Sequence, residues 1–226
     1  MAVPQGTRSP RGTCRVATGD GRSPRSAPVL HYADAARRGP TRLQPPIAML
    51  LSAAMTAALN QQVGNELAAS NQYVQIAAYF DGEGLPTLAK HFYRQAAEER
   101  SHAMRFVKYL MDAGGELAIP AIPAPVPTFG SAAEAVQLAL TSELTVTKQI
   151  NGIVDLAIRE SDHLTRNALE WFVNEQREEV ASMDALLRMV KRAGEQNLFF
   201  VEQHLRSGGG EEKGGDAAEA EGAEGD

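Results

Sequence analysis

Residues 95–106 read QAAEERSHAMRF. Gln95, Glu99, His102 and Phe106 recur at intervals of four, three and four, so they share one stripe of an α-helix. Phe92 and Leu110 continue that stripe at either end. A carboxylate and an imidazole therefore interrupt a face that is otherwise apolar. At positions i and i+3 their side chains are neighbours and reach a common point. By themselves Glu98 and Glu99 would read as surface charges paired with Arg94 or Arg100, and His102 as a core histidine. The rest of the chain decides between these readings.

Three more stripes carry the same interruption. Leu59, Val63, Glu66, Tyr73, Ala77 and Phe80 form one. Val136, Leu140, Glu143, Thr147, Ile150 and Val154 form another. Phe172, Gln176, Glu179, Met183, Leu186 and Val190 form the last. Each helix thus turns one Glu inward near its middle. Buried carboxylates cost several kcal/mol each unless paired, protonated or bound to a cation. His102 is the one inward nitrogen, too little to neutralise four acids, whereas two metal ions would suffice. Oxygen-rich ligation with a single His suits iron or manganese far better than copper. Four-helix di-iron proteins carry two Glu-x-x-His motifs and two single Glu residues. Here Ser182 stands where the second His is expected. The second ion would have fewer ligands and a more open site, which suits an ion that arrives, is oxidised and leaves.

The connections set the topology. Asp81-Gly82-Glu83-Gly84-Leu85-Pro86 breaks the first helix from the second, and Arg159–Asp162 breaks the third from the fourth. Short breaks make each pair antiparallel neighbours. The second helix closes at Gly114-Gly115, the fourth at Gly194. Between the second and third lies Glu116–Thr128, with Pro120, Pro123, Pro125 and Pro127. Alternate prolines hold such a segment extended, at about 3.1 Å per residue. Its 13 residues reach on the order of 40 Å, and a 28-residue helix is about 42 Å long. The linker can return the chain along the whole bundle. A short fifth helix is expected at about 196–205, from Leu198, Phe199, Val201 and Leu205. No period-2 strand pattern competes, so the fold class is all-α.

Charge divides the 226 residues into three parts. Residues 1–50 hold eight Arg, no Lys, Asp20 and Asp34, a net charge of +6. The chain total of 22 Lys and Arg against 28 Asp and Glu then leaves 14 basic and 26 acidic residues in 51–226, a net charge of −12. The Arg- and Pro-rich extension at 1–50 has too few large apolar residues to offset the entropy of ordering. Its composition allows a transit peptide or a stretch upstream of a true start at Met49 or Met55. The second is favoured, since the extension is not amphipathic and the periodic sequence begins abruptly at Leu51. Residues 207–226 hold seven acids, one Lys and seven Gly, a flexible acidic tail. The folded domain is expected at 51–206. Mild overall acidity argues against a nucleic-acid partner, and no apolar run is long enough to span a membrane. The single cysteine, Cys14, excludes a disulfide framework or Cys-built cluster within one chain and fits a reducing, cytoplasmic location.

Over Ala53 to Leu205 the sequence resembles bacterial non-haem ferritins. The matching stretches are Asn65-Glu66-Leu67 with Ser70 and Gln72-Tyr73, then Leu88 to Phe92, and Ala97 to Arg100 with His102-Ala103. Trp171-Phe172-Val173, Glu175-Gln176 and Glu178-Glu179 complete the set. The resemblance implies a ferritin-like four-helix bundle with a long crossover between helices 2 and 3 and a short fifth C-terminal helix. It implies a ferroxidase centre, with Glu66, Glu99 and His102 at a first iron site and Glu99, Glu143 and Glu179 at a second. Gln176 would hydrogen-bond the oxygen species there, and Tyr73 would either supply an electron or simply pack. A third iron site would use Glu98, Glu175, Glu178 and Glu179, although Glu175 and Glu178 also read as a solvated face. Haem-binding members carry a Met beside the bridging Glu; Arg100 stands there, so no haem is expected. The implied function is iron storage: Fe(II) oxidised by dioxygen or hydrogen peroxide, and the ferric product held as an oxyhydroxide mineral in a homo-oligomeric 24-subunit shell. A rubrerythrin-type di-iron peroxidase would bring a second Glu-x-x-His and usually a Cys-x-x-Cys part, and this sequence has neither. A DNA-protecting mini-ferritin would lack inward Glu residues on helices 3 and 4. A shell protein with an inactive centre stays open.

Overall fold

The computed structural model describes residues 50–208. The expected extension at 1–50 and tail at 207–226 lie outside the described residues, except for Leu50, Ser207 and Gly208. Four long helices form the body: α1 (Ala53–Gly82), α2 (Pro86–Asp112), α3 (Ala132–Glu160) and α4 (His163–Ala193). A 3₁₀ turn at Glu195–Asn197 leads into a short α5 (Leu198–Arg206). Helix α1 packs along α2, α3 along α4, and α1 against α3.

Local chemistry starts and stops these helices. Ser52, Ser131 and Asp162 each accept a hydrogen bond from a first-turn backbone N–H, at 2.9, 3.1 and 2.9 Å. Such caps satisfy donors that have no partner within the helix. Helix α2 begins instead on Pro86, with no cap from Leu85. Its first-turn donors Thr87 N and Leu88 N bond the Glu202 carboxylate of α5, at 3.0 and 2.7 Å. A negative charge at a helix N-terminus also complements the helix dipole, so Glu202 ties α5 to the bundle. Ser161 turns the chain between α3 and α4 in the left-handed region, at φ 58°.

The proline-rich crossover runs along α1, held by amide side chains on that helix. Asn60 donates to Glu116 O at 2.8 Å and accepts from Ala118 N at 2.6 Å. Gln72 accepts from Val126 N at 2.8 Å, and Gln75 donates to Pro127 O at 2.9 Å. Phe129 then meets Tyr79 edge-on near the end of α1, with ring centroids 5.3 Å apart, and α3 begins there. Gly64 makes the close approach possible, because a Cβ there would stand 2.4 Å from Pro120 Cγ. In an open helix Gly→Ala gains up to about 1 kcal/mol. Here the stiff proline ring must move, and overpacking typically costs about 1–3 kcal/mol. Gly64→Ala is expected to lower the apparent melting temperature, and a raised one would refute the contact.

The core falls into two apolar halves. One gathers Phe80, Leu88, Phe92, Val136, Leu186 and Val190 beneath α5. The other gathers Met55, Leu59, Phe106, Leu110, Ile150 and Leu169. Between them lies a buried polar layer of Gln62, Glu66, Glu99, His102, Glu143, Gln176 and Glu179. The expected stripe on α3 is off-centre. Thr147 and Val154 are only half-buried, while Val146, Ile153 and Ala157 are in the core. Ala135, Ala139 and Ala157 pull the buried face round, and alanine is too weakly apolar to mark a stripe in the sequence.

Candidate metal centre

Helices α1 and α2 bring Glu66, Glu99 and His102 together, and one ligand atom from each lies within 4.8 Å of the others. They are 1%, 1% and 4% exposed. Glu66 Oε1 accepts from Gln62 Nε2 at 2.9 Å. Glu66 Oε2 and both Glu99 carboxylate oxygens are buried and find no hydrogen-bond partner among the described residues. His102 Nδ1 lies 3.7 Å from Glu99 Oε2, too long for a hydrogen bond. The imidazole is positioned by rings, edge-on to Trp171 at 5.4 Å and to Phe172 at 6.4 Å. Arg105 lies over the Trp171 ring at 4.0 Å from its centroid.

Burial sets the electrostatics. It pushes Glu66 well above the usual carboxylate range, and the Glu99 charge adds to this. Burial and then the Glu143 charge do the same to Glu99. Glu143 is pushed up to about 7 by burial, against a hydrogen bond from Tyr73 that favours its charged form. Glu179 is pushed up to about 9 by burial and then by Glu143 and Glu98. Tyr73 itself is raised by burial and the Glu143 charge. A layer of acids that repel one another, with Glu66 Oε2 and both Glu99 oxygens left without donors, suits cations. Carboxylate oxygens with one imidazole fit divalent iron or manganese.

The other expected ligands are placed differently. Glu143 and Glu179 reach the same buried layer from α3 and α4 but do not join the three-residue group. Glu143 Oε1 accepts from the Tyr73 hydroxyl, and Oε2 lies 3.5 Å from Gln176 Nε2. Those two donors orient the Glu143 carboxylate. Gln176 Oε1 in turn accepts from Thr147 Oγ1 at 3.0 Å. Glu98 is half-buried and accepts from Gln95 Nε2. Glu175 is half-buried and raised chiefly by burial. Glu178 is exposed and paired with Arg177 at 2.9 Å. These three do not form a metal-sized group among the described residues. Arg100 is exposed.

Sequence reasoning missed the supporting side chains. Gln62 orients Glu66 from one turn away on α1, Gln95 engages Glu98, and Thr147 orients Gln176 across helices. Gln62 was findable as a polar residue on the Glu66 face. The Thr147–Gln176 bond is not, because it depends on the register of α3 against α4.

A bundle of two antiparallel pairs joined by one long crossover, with carboxylates and an imidazole in its middle layer, is the ferritin-like class of helical protein. The family model for the ferritin-like domain matches residues 56–193, and the chain belongs to that family. It is 47% identical over 149 residues to ferritin BfrB of Mycolicibacterium smegmatis, covering 66% of this chain and 82% of that protein. It is 32% identical over 158 residues to a bacterial non-heme ferritin of Staphylococcus aureus, covering 69% and 95%. Among solved structures, an open pore ferritin from Archaeoglobus fulgidus aligns with a TM-score of 0.67 at 32% identity, covering 70% of this chain and 97% of that one. Among the described residues, no helix is long and apolar enough to cross a membrane.

Proposed function

We propose that this chain is a cytoplasmic iron-storage ferritin with ferroxidase activity. The observation that carries the reading is the buried Glu66–Glu99–His102 group, with three carboxylate oxygens lacking donors. Fe(II) is the substrate. Glu66, Glu99 and His102 bind one ion; Glu99, Glu143 and Glu179 bind a second, with Glu143 released from Tyr73 and Gln176 as a cation takes over its charge. Each Fe(II) gives up one electron, and dioxygen or hydrogen peroxide takes the pair. Gln176 offers a hydrogen bond beside the oxidant. Tyr73 donates a hydrogen bond to Glu143, which supports a role for its phenol at the edge of the centre, either in packing or in lending an electron that Fe(II) then restores. A third iron site would draw on Glu98, Glu175, Glu178 and Glu179, which would have to move together around the ion. Ferric product gathers as an oxyhydroxide mineral inside a 24-subunit shell, and no haem takes part.

The test is light scattering on the purified protein, then anaerobic Fe(II) loading and exposure to air. The expected result is a particle near 24 subunits that binds about two irons per chain rapidly and retains hundreds per particle in solution. A dimer that turns iron over without retaining it would refute storage and point to a di-iron redox enzyme.

A further inference from the structure

Helix α1 carries a one-way chain of amides that ends on Glu66. Gln61 Nε2 donates to Asn65 Oδ1 at 3.0 Å. Asn65 Nδ2 donates to Gln62 Oε1 at 3.1 Å. Gln62 Nε2 donates to Glu66 Oε1 at 2.9 Å. The partners are three or four residues apart, so their side chains are neighbours on the helix surface. The chain also runs inward. Gln61 is exposed, Asn65 half-buried, and Gln62 only 2% exposed. An amide whose oxygen accepts and whose nitrogen donates cannot turn over without setting like against like at both ends. Asn65 therefore fixes which end of Gln62 faces Glu66.

The two oxygens of Glu66 are consequently unlike. Oε1 is taken by Gln62, whereas Oε2 is buried without a partner. Helix α2 provides the comparison. Gln95 precedes Glu99 by four residues, as Gln62 precedes Glu66, and it too is buried. Its Nε2 turns instead to Glu98. Both Glu99 oxygens are left bare. One Gln–Glu spacing thus leaves a single free oxygen on α1 and two on α2. Burying an amide costs free energy that an apolar side chain of the same size would not incur, so packing alone does not account for Gln62.

We propose that Gln62, held by Asn65, is a positioning residue that makes Glu66 a one-oxygen ligand: the amide keeps Oε1 and leaves Oε2 to the cation. This rests on the reading of the layer as a metal centre. Without Gln62, Glu66 would be free to offer both oxygens to one ion or to rotate away from it. Either change alters the coordination of the ion it holds with Glu99 and His102.

The experiment is titration of the full, iron-free protein with Co(II) in the absence of air, followed by visible absorbance. The Co(II) band weakens as coordination number rises, so it reports ligand arrangement as well as affinity. In wild type the first ion per chain is expected to give a saturable band. Gln62→Met keeps the side chain's length and removes its N–H. It is expected to weaken that site about tenfold, the lower end of what loss of an outer-shell partner costs, and to lower the absorbance per bound ion. Asn65→Leu, which removes no ligand, is expected to move both in the same direction by a smaller factor. Gln72→Met is the structural comparison. It frees the crossover from α1 without touching the layer, so affinity and band are expected to match wild type. The absence of a saturable band in wild type overturns the metal centre, and this inference with it. A wild-type band that Gln62→Met leaves unchanged overturns the positioning role alone. Weaker binding with an unaltered band overturns it as well, because the amide would then support the helix and not the way Glu66 binds.

Discussion

Glu99→Ala is expected to abolish rapid Fe(II) oxidation while leaving the assembled particle intact. Glu99 contributes two buried carboxylate oxygens without hydrogen-bond partners, and it is the acid expected to touch both ions. Removing it strips a ligand from each and opens the layer between Glu66 and Glu143. Loss of an outer-shell partner alone typically costs about 10–100-fold at a metal site, so losing a shared ligand should cost about 100-fold or more. The particle should survive, because the variant removes a repulsive charge rather than a packing contact, and both apolar halves of the core are untouched. Glu178→Ala is the contrast. Glu178 is exposed and paired with Arg177, so its loss should change the initial rate only a few-fold. Stopped-flow absorbance after mixing Fe(II) with air-saturated buffer separates the two. Wild-type kinetics in Glu99→Ala would sink the site assignment.

Metal-free protein is expected to lose stability as pH rises from about 6 to 9, and a redox-inert divalent ion such as Zn(II) to restore it. A carboxylate with a raised native pKa binds its proton more tightly folded than unfolded. Its contribution is complete below the unfolded value near 4.5 and is lost as pH climbs through the folded value. That value is about 7 for Glu143 and about 9 for Glu179, and Glu66 and Glu99 shift in the same direction. Between the two values each group removes about 1.4 kcal/mol per pH unit. His91 works the other way at the acid end. Its lowered pKa, about 4, gives stability that is lost as pH falls from the unfolded value near 6.5. Four acids outweigh one imidazole, so the maximum stability of the metal-free chain is expected at about pH 4.5, where the acids' contribution is still nearly complete. At about 2–4 °C per kcal/mol for a chain of this size, the apparent melting temperature at fixed scan rate should drop by at least roughly 5 °C between pH 6 and 9. Zn(II) should close that gap, because it binds the folded layer and not the unfolded chain. A flat profile, or a gap that Zn(II) leaves open, would show that the acids are already compensated.

The bundle and the polar layer within it are legible in the order of residues alone. Four stripes of period 3.6 each carried a Glu at matching depth, and burial energetics alone make that pattern incompatible with an ordinary core. The prolines between Glu116 and Thr128 determined the crossover, since an extended segment of that length spans a helix. Tertiary structure decided what lay between helices. The amide clamps of Asn60, Gln72 and Gln75 on the crossover depend on which face of α1 it crosses. The capping of α2 by Glu202, 115 residues beyond Thr87, has no local signal, because a cap from another helix leaves no spacing to read. The gathering of Glu66, Glu99 and His102, with Glu143 held aside by Tyr73 and Gln176, is likewise a matter of helix register. Periodicity places a side chain on a face to within a residue or two, whereas metal ligation is decided over a few ångströms by how neighbouring helices slide and rotate.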